Sequence, residues 1–395
     1  MIEKQYANIV LKQIKHDNIA LITQLVYGTI QNYQFCLYQW QHLAQSKPKK
    51  EIEVLINLAI YQKLFVDKLP DYAIVDESNK LSSKLFDGRY KQFVNAILRS
   101  TFDQEIHVPP DIESIEGMSI MHSFPKWLLS MWEKQYGYAA MTQFVQASHL
   151  PSHLYVKLNQ LKAPIDIEKL HLTASDVKGC YIADRQILKS DAFLKGQVII
   201  QDKNAQQVSL FTPIQPFDRV LDACAAPGGK SVSMAIKANN QGEIIALDIH
   251  PHRVALIQQL VEKTGTTIVK PIVADATMLG ERFSPETFDG VLVDAPCSGL
   301  GVLRRKPDIK LFITPQDLDQ IILLQQAILM SVAPLVKVGG WLVYATCTMN
   351  KKENEKQAQW FLEQFNQFEM QQEQFLDPSI TDADGFYMVK FVRIS

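Results

Sequence analysis

RVLDACAAPGGKSVSMAIKA, Arg219 to Ala238, passes from a run of branched apolar residues to a glycine pair and then to apolar residues at helical spacing. A strand, a glycine turn and a helix in immediate succession form the opening unit of a parallel α/β sheet. Outward from it the alternation continues. Further strands are expected at EIIALD (243–248), TIVKPIVAD (267–275), GVLVDA (290–295), GWLVYAT (340–346) and FYMVKFVRI (386–394). Helical runs at HRVALIQQLVEK, DLDQIILLQQAILMSV and NEKQAQWFLEQF separate them.

Glycines at a strand-to-helix turn let backbone N–H groups approach a ligand closely. Three ligands compete for this loop. Its tail GGKS has the end of a phosphate-binding loop, but that motif needs a glycine where Cys224 stands. A dinucleotide site wants G-x-G-x-x-G, and the loop offers only the adjacent pair Gly228-Gly229. What remains is S-adenosylmethionine, which carries no phosphate. Asp248 closes the second strand, where a carboxylate commonly accepts the ribose hydroxyls of an adenosine. Asp222, Asp275 and Asp294 close the first, third and fourth strands. Ligands of open α/β sheets bind at the carboxyl ends of strands, so the four aspartates are expected around one crevice.

Two cysteines leave strands in polar turns, Cys297 in VLVDAPCSGLGVLRRKP and Cys347 in WLVYATCTM. Cys36 and Cys180 read as small buried hydrophobes. Thiolates beside a methyl donor suit methylation at a carbon that lacks a nucleophilic lone pair, such as carbon 5 of cytosine. Addition of a thiolate to carbon 6 makes carbon 5 enamine-like, and elimination follows methyl transfer. Asp294 is placed to stabilise the base at its N3 and amino edge. Free thiols titrate near roughly 8.5, so a cation must favour the thiolate; Lys230, Arg304 and Arg305 are candidates. The residues alone do not rank the two cysteines.

Taken together, DACAAPGGKS, DAPCSGLGVLRRKPDIK and YATCTMNKKENE resemble the cytosine-5 RNA methyltransferases of the NOL1/NOP2/Sun family. The segment LAIYQKLFVDKLPDYAIVDESNKLSSKL, followed by FVNAILRS, is similar to the RNA-binding fold of the antitermination factor NusB. The resemblance implies Cys347 as nucleophile, Cys297 as the residue assisting elimination and product release, and Asp294 beside the base. It places cofactor contacts on Cys224, Ala225, Ala226, Pro227, Gly228, Gly229, Lys230, Asp248, Asp275 and Asp294. Its implied substrate is a cytosine of 16S ribosomal RNA, free or in an assembly intermediate, and its implied fold is a Rossmann-like domain with a mostly parallel sheet. Arg304, Arg305 and Lys306, directly after the P-C motif, are expected at the crevice mouth as RNA contacts.

A chain of 395 residues exceeds a single core. The expected division is an all-α NusB-like domain over 1–103 with a reduced first helix, a linker over 104–120 where FDQEIHVPPDIESIEG is acidic and aperiodic, a small accessory RNA-binding subdomain over 121–200, and the methyltransferase domain over 201–395. Lys plus Arg (40) nearly balances Asp plus Glu (42), so any polyanion site is local. The five scattered cysteines form no C-x-x-C pair or zinc spacing, so neither a metal nor disulfides are expected. The N-terminus lacks a signal-like apolar core, and no apolar run reaches membrane-spanning length; a cytoplasmic monomer with no membrane partner is the expectation.

Overall fold

The computed structural model describes residues 5–67 and 69–395, which divide into two compact units. The first comprises the chain to Val145 together with Arg305–Ile313; the second comprises Gln146–Arg304 and Thr314–Ser395.

The first unit is helical. Its first helix, Ala7–Gln13, has only seven residues, and Ile19–Gln31, Tyr33–Trp40, Lys50–Phe65, Asp71–Phe86 and Lys91–Phe102 follow. Trp40, Ile52, Ile56, Ala59, Ile60, Val94 and Leu98 meet in its core at helical spacing. Two pairs of polar side chains bond inside it: Tyr33 Oη donates to Glu53 (2.6 Å) and Trp40 Nε1 donates to Asn57 (2.7 Å). The expected linker holds a helix, Ile115–His122, whose N-cap Ser114 accepts the Gly117 N–H. An acidic, proline-bearing approach hid that short helix from periodicity. Residues 305–313 pack into this same unit: Asp308 accepts the Ala7 N–H (2.6 Å), and the rings of Phe312 and Tyr6 meet edge to face.

In the second unit an antiparallel sheet is built from β1 (Leu154–Leu158), β2 (Thr173–Ala174), β3 (Cys180–Ala183) and β4 (Val198–Ile200), in the order β2-β3-β1-β4. The larger sheet has β5 (Arg219–Asp222), β6 (Glu243–Asp248), β7 (Val269–Val273), β8 (Phe288–Asp294), β9 (Val336–Thr346), β10 (Phe368–Leu376) and β11 (Phe386–Arg393). Their order is β10-β11-β9-β8-β5-β6-β7; β5 to β9 run parallel, and β10 and β11 are antiparallel additions.

Alternate residues of the central strands face opposite cores. Leu221, Val291, Val293 and Leu342 meet Ile328, Leu329, Val332 and Phe361 on one side; Val220, Leu292 and Val343 meet Val232, Ile236 and Ile257 on the other. Helix Pro315–Val332 belongs to the first layer. Its segment to Leu335 is long and apolar enough to cross a membrane by length and composition, but Ile328, Leu329 and Val332 are buried against the sheet. Because β6–β7 extend from one side of β5 and β8–β9 from the other, the switch point falls between β5 and β8, where open α/β sheets bind ligands.

Candidate active site

The loop after β5 is shaped by Gly228, which sits at φ +103° and donates its N–H to Ala225 O (2.7 Å). A Cβ there would lie 3.1 Å from Ile257 Cγ2, so this turn requires glycine for both its conformation and its closeness to the helix Pro251–Thr264. Helix Gly229–Lys237 starts at once, presenting its first turn at the sheet's carboxyl edge.

The four aspartates gather around this loop. Burial first, then the charges of Asp222, Asp294, Asp248 and Asp275, push the Cys224 thiol well above its ordinary range. Cys224 is thereby held neutral. Asp222 lies beneath the site, fully buried, accepting from Ser231 Oγ (2.6 Å), and burial lifts its carboxyl to about 7 against that bond. Asp248 accepts the His250 N–H with Oδ1 (2.9 Å), while among the described residues Oδ2 has Arg253 at 3.8 Å. Asp275 accepts both the N–H and the hydroxyl of Thr277 on Oδ1 (2.8 and 2.7 Å). Acceptor oxygens therefore remain at both strand ends, as an adenosine needs for its ribose hydroxyls and amino group. The residues fit an adenosyl cofactor.

Lys230 and Asp294 form an ion pair, Nζ to Oδ2 2.6 Å, with the two side chains 13% and 25% exposed. Burial acts to lower the Lys230 pKa, but Asp294, then Cys347 and Asp222, outweigh it and raise it. The ammonium thus lies within electrostatic reach of one cysteine of the pair.

Cys297 and Cys347 meet, Sγ to Sγ 3.2 Å, on the turns after β8 and β9. Gly301 makes that approach possible: its N–H donates to Cys347 O (2.9 Å), and a Cβ would come within 2.2 Å of Gly385 O. The thiols are not equivalent. The hydrogen bond to Cys347, then burial, then the charges of Cys347 and Glu353 push the Cys297 thiol well above its ordinary range, against the Cys347 N–H that donates to Cys297 Sγ (3.3 Å).

Two family models match separate stretches of the chain. Residues 210–392 match the family described as 16S rRNA methyltransferase RsmB/F, and residues 1–103 match the NusB family. A protein of Bacillus subtilis (strain 168) named "Probable ribosomal RNA small subunit methyltransferase B" is 35% identical over 389 residues, covering 92% of this chain and 86% of its own. The chain belongs to the ribosomal RNA small subunit methyltransferase B family. As in methyltransferases of this family, its methyl donor is S-adenosylmethionine. A family member of Yersinia pseudotuberculosis, strain IP 31758, is 27% identical and covers 97% of this chain and 92% of its own. Two solved structures share the family fold. PH0851 aligns with TM-score 0.84 and 22% identity over 96% of this chain and 91% of its own. NSun6 from Pyrococcus horikoshii with SFG aligns with TM-score 0.63 and 18% identity over 69% and 99%.

One expectation is corrected. Arg304 does not stand with Arg305 and Lys306 as a solvent-facing cation: its side chain is 4% exposed, donating from Nε to Ala147 O (2.9 Å) and pairing with Asp382 (2.5 Å). Those partners lie far away in sequence, so the run LRRKP gave no sign of them. Arg305 and Lys306 are exposed. Ser298, Gln325, Thr348, Asn350 and Glu353, which carry no motif of their own in the sequence, form a buried polar cluster under the cysteines. Its only trace was the string TMNKKENE, whose glutamate looks like any surface charge. Among the described residues, no three or more His, Cys, Asp or Glu side chains are grouped to hold a metal.

Proposed function

We propose that this enzyme methylates carbon 5 of a cytosine in 16S ribosomal RNA through a covalent adduct between Cys347 and carbon 6. The observation that carries this reading is the pair of thiols 3.2 Å apart beside the Lys230–Asp294 ion pair. One nucleophile and one thiol held protonated are what an addition–elimination sequence requires.

Lys230 favours the thiolate of Cys347 by its charge. The Cys347 sulfur forms its bond to carbon 6, the ring electrons shift toward carbon 5 and N3, N3 takes up a proton, and Asp294 accepts the N–H groups of that edge. Bound S-adenosylmethionine supplies an electrophilic methyl group, which carbon 5 takes up. The carbon 5 proton then passes to a water molecule, the electron pair it leaves restores the 5,6 double bond, and the carbon–sulfur bond breaks to return Cys347 as a thiolate. Cys297 assists that elimination. Asp248 holds the ribose and Asp275 the adenine edge, while the backbone of 224–229 passes the methionine portion. Arg305 and Lys306 serve the RNA backbone. The protein acts as a cytoplasmic monomer on free ribosomal RNA or an assembly intermediate.

The test uses single substitutions and denaturing electrophoresis with substrate RNA and cofactor. Cys347→Ala is expected to abolish turnover, by roughly 10⁴-fold or more, and to form no covalent complex. Cys297→Ala is expected to trap methylated RNA as a band that survives denaturation, and the double variant to lose the band. A band from Cys347→Ala that vanishes in Cys297→Ala would reverse the roles; full activity in both would end the covalent mechanism. Bisulfite sequencing of RNA from a deletion strain checks the substrate, with one 16S cytosine expected to lose its methyl group.

A further inference from the structure

The turns carrying the two cysteines are tied together by one side chain that follows the Cys347 turn closely but lies far from Cys297 in sequence. Glu353 is fully buried at the turn before helix Glu355–Gln364. Its Oε2 accepts the Ser298 N–H (2.9 Å) and Gln325 Nε2 (3.2 Å); its Oε1 accepts Ser298 Oγ (2.6 Å) and Asn350 Nδ2 (3.0 Å). All four partners are donors. A proton on the carboxyl would displace one of them, so the donor set selects the carboxylate even though burial pushes the pKa of Glu353 upward.

Ser298 directly follows Cys297, and Thr348 directly follows Cys347. Their hydroxyls lie 2.6 Å apart. With Ser298 Oγ donating to Glu353, Thr348 Oγ1 must donate to Ser298, giving a one-way chain Thr348→Ser298→Glu353. Main-chain bonds complete the frame: Tyr344 Oη donates to Glu353 O (2.7 Å), and Asn354 Nδ2 donates to Thr348 O (3.0 Å). The separation of the two sulfurs is thus set by a carboxylate that touches neither cofactor nor RNA in the proposed mechanism.

Position brings a second effect. The charged and titratable groups facing the thiol pair are Lys230 and Asp294, on the Cys347 side, and Glu353 and Tyr344, on the Cys297 side. The Glu353 carboxylate, bonded to the N–H and hydroxyl of Ser298 next to Cys297, opposes a negative charge on that sulfur, against the Cys347 N–H that donates to Cys297 Sγ (3.3 Å), while the Lys230 ammonium interacts with Cys347. We propose that Glu353 is the positioning residue that makes the two cysteines unequal: it locks the turns behind them and keeps Cys297 a neutral thiol, so that Cys347 is the sulfur that ionises. This rests on the assignment of Cys347 as nucleophile, but its test does not require methylation.

The experiment is alkylation of the full-length protein by iodoacetamide, without RNA, from pH 6 to 9, with the modified cysteines resolved by mass spectrometry. In the wild type Cys347 should react at least about tenfold faster than Cys297 at pH 7, because only the thiolate attacks. Glu353→Gln keeps the shape, removes the charge and presents an amide N–H to donors; the Cys347-to-Cys297 rate ratio should fall at least about tenfold, with the Cys297 profile moving to lower pH. Ser298→Ala removes the relay and should lower the ratio severalfold, and it carries the test if Glu353→Gln fails to fold. In turnover both variants should lose kcat while KM for S-adenosylmethionine stays within about twofold. Folded variants with an unchanged rate ratio overturn the proposal whatever their activity. Failure of the nucleophile assignment is separate, appearing as turnover retained by Cys347→Ala.

Discussion

Lys310 in the helical unit and the mostly buried Lys230 in the α/β unit invite comparison. Lys310 of the helical unit is 2% exposed; its ammonium donates to Gln31 O and His122 O (3.2 Å each) and lies 4.1 Å over the Phe124 ring. No carboxylate is among those partners, and burial pushes its pKa down to about 7. Lys230 of the α/β unit is also enclosed, but the Asp294 carboxylate at 2.6 Å reverses the effect of burial and raises its pKa. The same side chain is a pH-dependent strut in one place and a permanent cation in the other. The choice lies with a single neighbour.

The sharpest way to break this contrast is Lys230→Met, which should reduce turnover by roughly 10³-fold, the scale of losing a preorganised charge at a reacting centre. Lys310→Met, assayed alongside, should leave kcat within a few-fold in the protein that folds. Equal losses would deny the two lysines separate roles.

Next in size is a contrast among carboxylates. Asp248→Ala removes an acceptor at the proposed ribose position and should weaken S-adenosylmethionine binding by about 1.5 to 3 kcal/mol in calorimetry. Asp222→Asn, beneath the loop, should change that affinity far less.

A third measurement follows Lys310 through pH. Its folded pKa of about 7 lies below the roughly 10.4 of an unfolded lysine, so between these values the folded state binds fewer protons. Stability of the helical unit should therefore rise as pH rises through that window and fall as pH drops toward 7. Urea titrations at pH 7 and pH 9 should differ by roughly 2 kcal/mol through this group, and Lys310→Met should flatten the dependence.

The smallest effect concerns the basic run. Lys306→Ala should lower the slope of log RNA affinity against log salt by about 1. Arg304→Ala, whose guanidinium is committed inside the fold, should leave the slope unchanged and cost stability instead.

The sequence was informative where one short stretch carries both a fold element and its chemistry. β5, β6, β8 and β9 are apolar runs ending in Asp or in a cysteine turn, so strand and site residue were found together. β10 was missed because FEMQQEQFL is polar and largely exposed, an edge strand whose evidence is its pairing with β11. The antiparallel sheet of β1–β4 was missed too, its strands being two to five residues long. Glu353 could not be recognised for a related reason. Its burial is decided by Ser298 and Gln325, which only the folded chain brings to it.

The passage of residues 305–313 into the helical unit bears on how this protein can be divided and inherited. A helical module joined end to end could be cut away, transplanted or lost by one break in the gene. Here a later part of the chain supplies Asp308, Lys310 and Phe312 to the first unit. A fragment ending at Val145 would therefore lack part of its own interior, and a fragment beginning there would carry an orphaned lysine segment. Recombination that exchanges either half must preserve all three crossings of the chain, so the two units are expected to descend as a single inheritance.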